Sequence, residues 1–203
     1  YTFAPLGILM LCATLREKLQ ITPEIYDINS CINSDEIKNS DEFYDSAADS
    51  ILKTKPDVLG FMTECDSYHH VLQICKKVKE RKPDCYIIMG GPHATAVATI
   101  TMQSWNCIDC IVLGEGEITF VELIKSLLQN DKRIIPGTVM RTEAGIPVEG
   151  DKRELVDSLD LLPFPAYDLY QPLPGEELFI EAGRGCPFKC TFCSTSPFWQ
   201  RKH

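Results

Sequence analysis

With 203 residues the chain has room for one full domain and a piece of a second, and an apolar content of 44% is ordinary for a soluble globular protein. A formal net charge of −9 without a Lys/Arg stripe argues against a nucleic-acid or anionic-membrane surface. The longest apolar stretch, residues 4–15, is twelve residues long, contains Gly7, Cys12 and Thr14, and is too short to span a bilayer.

In chain order, Ile8, Leu11, Cys12, Leu15 and Leu19 recur at helical spacing. Residues 24–29 read as a short strand. Phe43, Ala47, Ile51 and Leu52 mark a second helix that ends before Pro56. Residues 57–62 (DVLGFM) have the texture of a buried strand, and Val71, Ile74, Cys75 and Val78 line the apolar face of a third helix. Strands are expected at 85–89 and 108–113, and a final helix carries Phe120, Val121, Ile124, Leu127 and Leu128. Alternating helices and strands, the strands lacking period-two polarity, predict a doubly wound α/β domain whose parallel sheet is covered on both sides.

The pattern opens on a helix at Tyr1, although a flavodoxin-like or Rossmann-like order would begin on a central strand. An apolar strand is therefore expected just before Tyr1, and the natural protein is expected to begin about 10–30 residues earlier. From residue 136 to 175 the texture changes, with six of the 13 prolines in that span. Residues 137–141 and 146–148, around Glu143-Ala144-Gly145, predict a hairpin. The run that follows, 160–170, reads as a proline-stiffened connector. The expected division is an α/β domain over 1–130, a hairpin and Pro-rich linker over 131–175, and the start of a further domain over 176–203. Leu178-Phe179-Ile180 reads as that domain's first strand.

Open parallel sheets bind ligands at the carboxyl ends of their strands. Three such ends stand out: Thr63-Glu64-Cys65-Asp66-Ser67, Gly90-Gly91-Pro92-His93, and Gly114-Glu115-Gly116-Glu117. Glycine there would let a flat ligand approach the backbone, and each loop leads towards a helix N-terminus. Glu115 and Glu117 read as loop acceptors and as favourable charge at the following helix. His69 and His70 read as the beginning of a helix, and His93 as a turn residue.

Ten cysteines would suit a disulfide-stapled secreted domain, but the chain is too long and too helical for that class. Cys12, Cys65, Cys75 and Cys85 lie in apolar contexts and read as buried small hydrophobes. Cys107 and Cys110 form a C-x-x-C pair that is either a zinc half-site or coincidence. A reducing cytoplasm fits this usage. The remaining three differ: in Gly183-Arg184-Gly185-Cys186-Pro187-Phe188-Lys189-Cys190-Thr191-Phe192-Cys193 the spacing CxxxCxxC puts three thiolates on one loop. Three are one too few to close a tetrahedral metal site; a [4Fe–4S] cluster held this way keeps one iron open. Zinc or unligated thiols are the alternatives.

CxxxCxxC with an aromatic before its last cysteine resembles the cluster motif of the radical S-adenosylmethionine (SAM) enzymes. Pro5-Leu6-Gly7, GGPH, GEGE, a Pro-rich linker and CxxxCxxC, in that order, resemble the cobalamin-dependent members with an N-terminal B12-binding domain. The resemblance implies that Cys186, Cys190 and Cys193 hold a [4Fe–4S] cluster, that Phe192 supports SAM, and that 176–203 begins a (βα) barrel needing about 150–200 further residues. It implies cobalamin contacts at Thr63, Glu64, Cys65, Gly90, Gly91, Pro92, His93, Gly114, Glu115 and Gly116. The chain lacks the Asp-x-His-x-x-Gly motif through which many B12 proteins ligate cobalt. The implied activity is reductive SAM cleavage, most commonly serving methyl transfer to a small-molecule or peptide substrate, with a low-potential electron donor as partner; the fragment alone would be inactive. Ring closure without methylation, a first domain that has lost cobalamin, and a non-enzymatic corrinoid- or zinc-binding module remain open.

Overall fold

A computed structural model describes residues 3–38 and 40–199; Tyr1, where the helical pattern opens, lies outside them. Two features explain the first helix, α1 (Leu6–Leu19). Its apolar positions bury Leu9, Met10, Cys12, Ala13 and Leu15, and Gln20 closes it in the left-handed conformation with its N–H on the Arg16 carbonyl. The strand expected at 24–29 does not form. Asp27 instead caps a short helix, α2 (Ile28–Asn33), accepting the Asn29 N–H at 2.9 Å.

The rest of the α/β unit follows as α3 (Phe43–Leu52), β1 (Val58–Met62), α4 (Tyr68–Arg81), β2 (Tyr86–Gly90), α5 (Pro92–Ala96), α6 (Ala98–Ser104), β3 (Cys110–Val112) and α7 (Glu117–Leu128). β1, β2 and β3 are parallel neighbours in that order. The hairpin, β4 (Thr138–Arg141) and β5 (Pro147–Glu149), is as the turn chemistry predicts, but it does not stand in a linker. β4 pairs antiparallel with β3, so the hairpin extends the sheet to β1-β2-β3-β4-β5.

Alternate residues of the strands serve opposite layers, as the pleat requires. Ile87, Met89, Ile111 and Val139 join Ala47, Ile51, Ile74, Val78 and Met102 on one face; Ile88, Cys110, Val112 and Met140 join Leu123 on the other. α1 packs on α7, where a side-chain carbon at Gly116 would come within 3.1 Å of Leu11.

β1 departs from its buried texture. Among the described residues it pairs on one side only, leaving Val58 and Met62 more than a third exposed. Leu178, Phe179 and Ile180 also stay exposed and form no strand, because no strand of the described residues lies alongside them. Among the described residues the pairing there is a parallel bridge between Phe3 and Glu177, with the Phe3 and Phe179 rings 5.2 Å apart. Among the described residues no helix is long and apolar enough to cross a membrane.

Candidate functional site

The three strand-end loops lie side by side because their strands are adjacent and parallel, and backbone bonds then stitch them together. The Thr63 N–H donates to the Gly90 carbonyl at 2.9 Å, and the Thr63 hydroxyl reaches the same oxygen at 3.3 Å. Thr95, one turn into α5, links the second loop to the third: its hydroxyl donates to the Gly91 carbonyl at 2.9 Å and accepts the Gly114 N–H at 3.1 Å. Thr95 carried no motif signal, since its partners are a glycine carbonyl and an amide 19 residues away.

The expected contact residues divide by exposure. Glu64, Cys65 and Pro92 are exposed, and His93 is half-buried with its ring 4.5 Å from Tyr68, whose hydroxyl is 2.5 Å from Thr101. Cys65 is thus not the buried hydrophobe its context suggested. Thr63 has no exposed surface and serves to join the loops. Gly91, at φ +101°, does not open space for a ligand: a side-chain carbon there would sit 2.8 Å from the Thr63 carbonyl oxygen. Gly114, at φ +66°, is the position that does, with nothing within 4 Å of where such a carbon would point. His69 and His70 lie in α4 as expected, His70 Nδ1 being 3.0 Å from the Tyr44 hydroxyl.

Glu115 and Glu117 do more than accept from their own loop. Arg184, two residues before Cys186, places Nη1 2.7 Å from Glu115, Nη2 2.5 Å from Glu117 and Nε 2.8 Å from Glu181. Burial alone would lower the guanidinium's pKa, but the hydrogen bonds and charge of Glu117, then Glu115 and Glu181, raise it and hold the proton firmly. The second oxygen of Glu115 accepts the Val156 N–H at 2.6 Å. The cysteine loop is thereby fastened to the strand-end edge.

Within that loop Gly185 turns at φ +91°, and the Cys193 N–H donates to the Cys190 carbonyl at 3.3 Å. Hydrogen bonds from the Thr195 hydroxyl, then the Thr195 and Ser196 amides, lower the Cys193 pKa and favour its thiolate. Cys190 is exposed, Cys186 and Cys193 half-buried, and Phe192 92% exposed. Among the described residues no three His, Cys, Asp or Glu side chains are arranged to hold a metal. The fit to a cluster therefore rests on the donor set, three accessible soft ligands on one loop. Of the other pair, Cys110 is buried in β3 and Cys107 half-buried before it, and burial raises the pKa of both thiols.

The strand-end face is shallow and open. Of two hollows, one of about 380 Å³ lies among the charged residues Glu36, Asp45 and Lys53, and one of about 340 Å³ runs along α6 and adjoins the strand ends at Thr95 and Leu113. At the strand ends Gly90, Pro92 and Gly114 present backbone and ring but no long side chain.

An open α/β sheet with glycine loops at its carboxyl edge has the architecture in which ligands bind at that edge. The chain matches the B12 binding domain over residues 1–124, and it belongs to that family. An uncharacterized methyltransferase of Pyrococcus horikoshii, PH0819, is 30% identical over 204 residues, covering 96% of this chain and 41% of the relative. The cytidylyl-2-hydroxyethylphosphonate methyltransferase of Streptomyces wedmorensis is 27% identical, over 98% of this chain and 45% of its own length. The anaerobic magnesium-protoporphyrin IX monomethyl ester cyclase of Rubrivivax gelatinosus is 28% identical over 77% of this chain and 30% of the cyclase. The chain thus spans less than half the length of these curated relatives. Among solved structures, the cobalamin-dependent SAM radical enzyme OxsB with aqua-cobalamin and SAM bound superposes with a TM-score of 0.72 at 20% identity, covering 95% of this chain and 26% of OxsB. That likeness establishes the fold.

Proposed function

We propose that this chain supplies the corrinoid-binding face and the cluster loop of a cobalamin-dependent radical SAM enzyme whose reaction is methyl transfer. The observation that carries the reading is convergence: three loops with small or exposed residues meet at one sheet edge, and the cysteine loop is ion-paired to the third of them through Arg184. When bound, the cluster supplies the electron for SAM cleavage and the corrinoid the methyl-carrying centre. The chain's own residues bind and orient. Gly90, Pro92 and Gly114 leave the edge open to the flat ring, while Glu64 and Cys65 border it. His93, held by Tyr68, faces its rim. Cys186, Cys190 and Cys193 are the iron ligands, and exposed Phe192 is placed to support SAM. Ring closure with the same cofactors is the second reading, favoured by the similarity to the cyclase.

The test is an absorption spectrum of the chain reconstituted anaerobically with iron, sulfide and hydroxocobalamin, then desalted. Retained corrin bands together with broad cluster absorption are expected. In Cys190→Ala the cluster absorption should vanish and the corrin bands persist; wild type lacking corrin bands overturns the cobalamin reading.

A further inference from the structure

Two carboxylates and a guanidinium buried together at a loop edge are costly unless their hydrogen bonds are met. Here side-chain exposure is 7% for Glu115, 6% for Glu117 and 11% for Arg184, with Glu181 at 26%. The planar fork of an arginine can send separate N–H groups to three carboxylates at once, which a lysine ammonium on its flexible stem does not reproduce. The Trp199 ring lies over the guanidinium, 5.3 Å from its carbon. Four segments meet at this one side chain: the turn 114–117, Val156 through Glu115, the approach 181–184, and Trp199 beyond the cysteines. Among the described residues Arg184 is the one cation paired with these three carboxylates, and Glu117 Oε2 is buried without a hydrogen-bond partner. Glu115 lies immediately beyond Gly114, where nothing comes within 4 Å of an added side-chain carbon.

We propose that Arg184 is a positioning residue: through Glu115 and Glu117 it locks the cysteine loop to the carboxyl edge of β3, so that a corrinoid seated on Gly114 steadies Cys186, Cys190 and Cys193. The locking stands on the geometry alone; the response to a corrinoid rests on the proposed function. Arg184 touches neither cofactor in this role. It fixes the distance between the two loops that do.

Hydrogen exchange of the 203-residue chain tests both parts, comparing wild type with Arg184→Gln, Arg184→Lys and Glu115→Gln, with and without hydroxocobalamin. Without ligand, peptides covering 111–118 and 182–194 should exchange at least tenfold faster in Arg184→Gln, with Arg184→Lys intermediate and a control peptide in α4 unchanged. Exchange at 182–194 equal to wild type in Arg184→Gln and in Glu115→Gln overturns the locking. If the control peptide shows that Arg184→Gln has unfolded, Arg184→Lys and Glu115→Gln decide the same point. With hydroxocobalamin, wild type should gain protection at 182–194 as well as at 90–93 and 114–116, and Arg184→Gln at the strand ends alone. Strand-end protection in wild type without any at 182–194 overturns the coupling. Absence of protection everywhere in wild type overturns the proposed function, while the ligand-free comparison still decides the locking.

Discussion

Replacing Gly91 by alanine should damage the fold, whereas the same change at Gly114 should spare it and act on the ligand face. At Gly91 the backbone sits at φ +101°, ψ 174°, a region essentially reserved for glycine that costs other residues about 1–3 kcal/mol. The new carbon would also lie 2.8 Å from the Thr63 carbonyl oxygen and 3.1 Å from its nitrogen. Both are backbone atoms, and the nitrogen already donates to the Gly90 carbonyl, so relief requires parting β1 from β2, an overpacking cost of about 1–3 kcal/mol. A loss of about 3 kcal/mol corresponds to a Tm about 6–12 °C lower for a chain of this size. At Gly114, φ is +66° and the added carbon meets nothing within 4 Å, which leaves a left-handed cost of about 1 kcal/mol. Thermal unfolding followed by circular dichroism, with hydroxocobalamin titrated into each variant, separates the two. A Gly91→Ala Tm within about 2 °C of wild type would refute the account of that loop, as would corrinoid affinity in Gly114→Ala equal to wild type for the assignment of the open edge.

Arg141 sends its guanidinium to the carbonyls of Ile108, Gly145, Met102 and Trp105. Arg141→Ala orphans the C-terminal carbonyls of α6 and should cost about 1–3 kcal/mol in chemical denaturation; an unchanged midpoint would contradict this. Burial raises the thiol pKa of Cys12 to about 11 and shifts Cys75, Cys85, Cys107 and Cys110 upward as well. Between pH 9 and 11 the unfolded chain therefore binds fewer protons than the folded one, and stability should fall as pH rises through that window. A Tm that is flat or rising there would show that these thiols are not desolvated. In native alkylation by iodoacetamide at neutral pH, mass spectrometry should find Cys65 and Cys190 modified, with Cys75, Cys85 and Cys110 protected until denaturant is added; early labelling of the latter three would contradict their burial.

What the sequence disclosed was local. Val71, Ile74, Cys75 and Val78 announced α4 because all four positions face one core, and the apolar runs 85–89 and 108–113 announced β2 and β3 for the same reason. α5 and α6 were illegible: Pro92-His93-Ala94-Thr95-Ala96 and the Thr-rich stretch after Val97 have little apolar stripe, and what fixes them is the sheet beneath. Asp27 was read as part of a strand because Ile25, Tyr26 and Ile28 outweighed its capping side chain. The cluster motif and the glycine turns were visible as strings, yet the direction in which Gly91 and Gly114 point was not, since that depends on backbone angles. Nor could spacing reveal that Arg184 also meets Glu117 and Glu115, which lie 67 and 69 residues away.

The proline-stiffened connector has a consequence for how the two ends of the chain move. Its middle is tacked onto α1: the Ala166 N–H donates to the Leu9 carbonyl at 3.1 Å, Asp168 grips Arg16, and beyond it Glu177 bridges to Phe3. It is therefore a strap rather than a tether. The effective concentration of the cysteine loop at the sheet edge is set by these attachments and not by contour length, so added residues at 171–175 should matter less than loss of the Arg16–Asp168 pair. Separation of the cysteine loop from the sheet edge has to begin by peeling the strap from the helix.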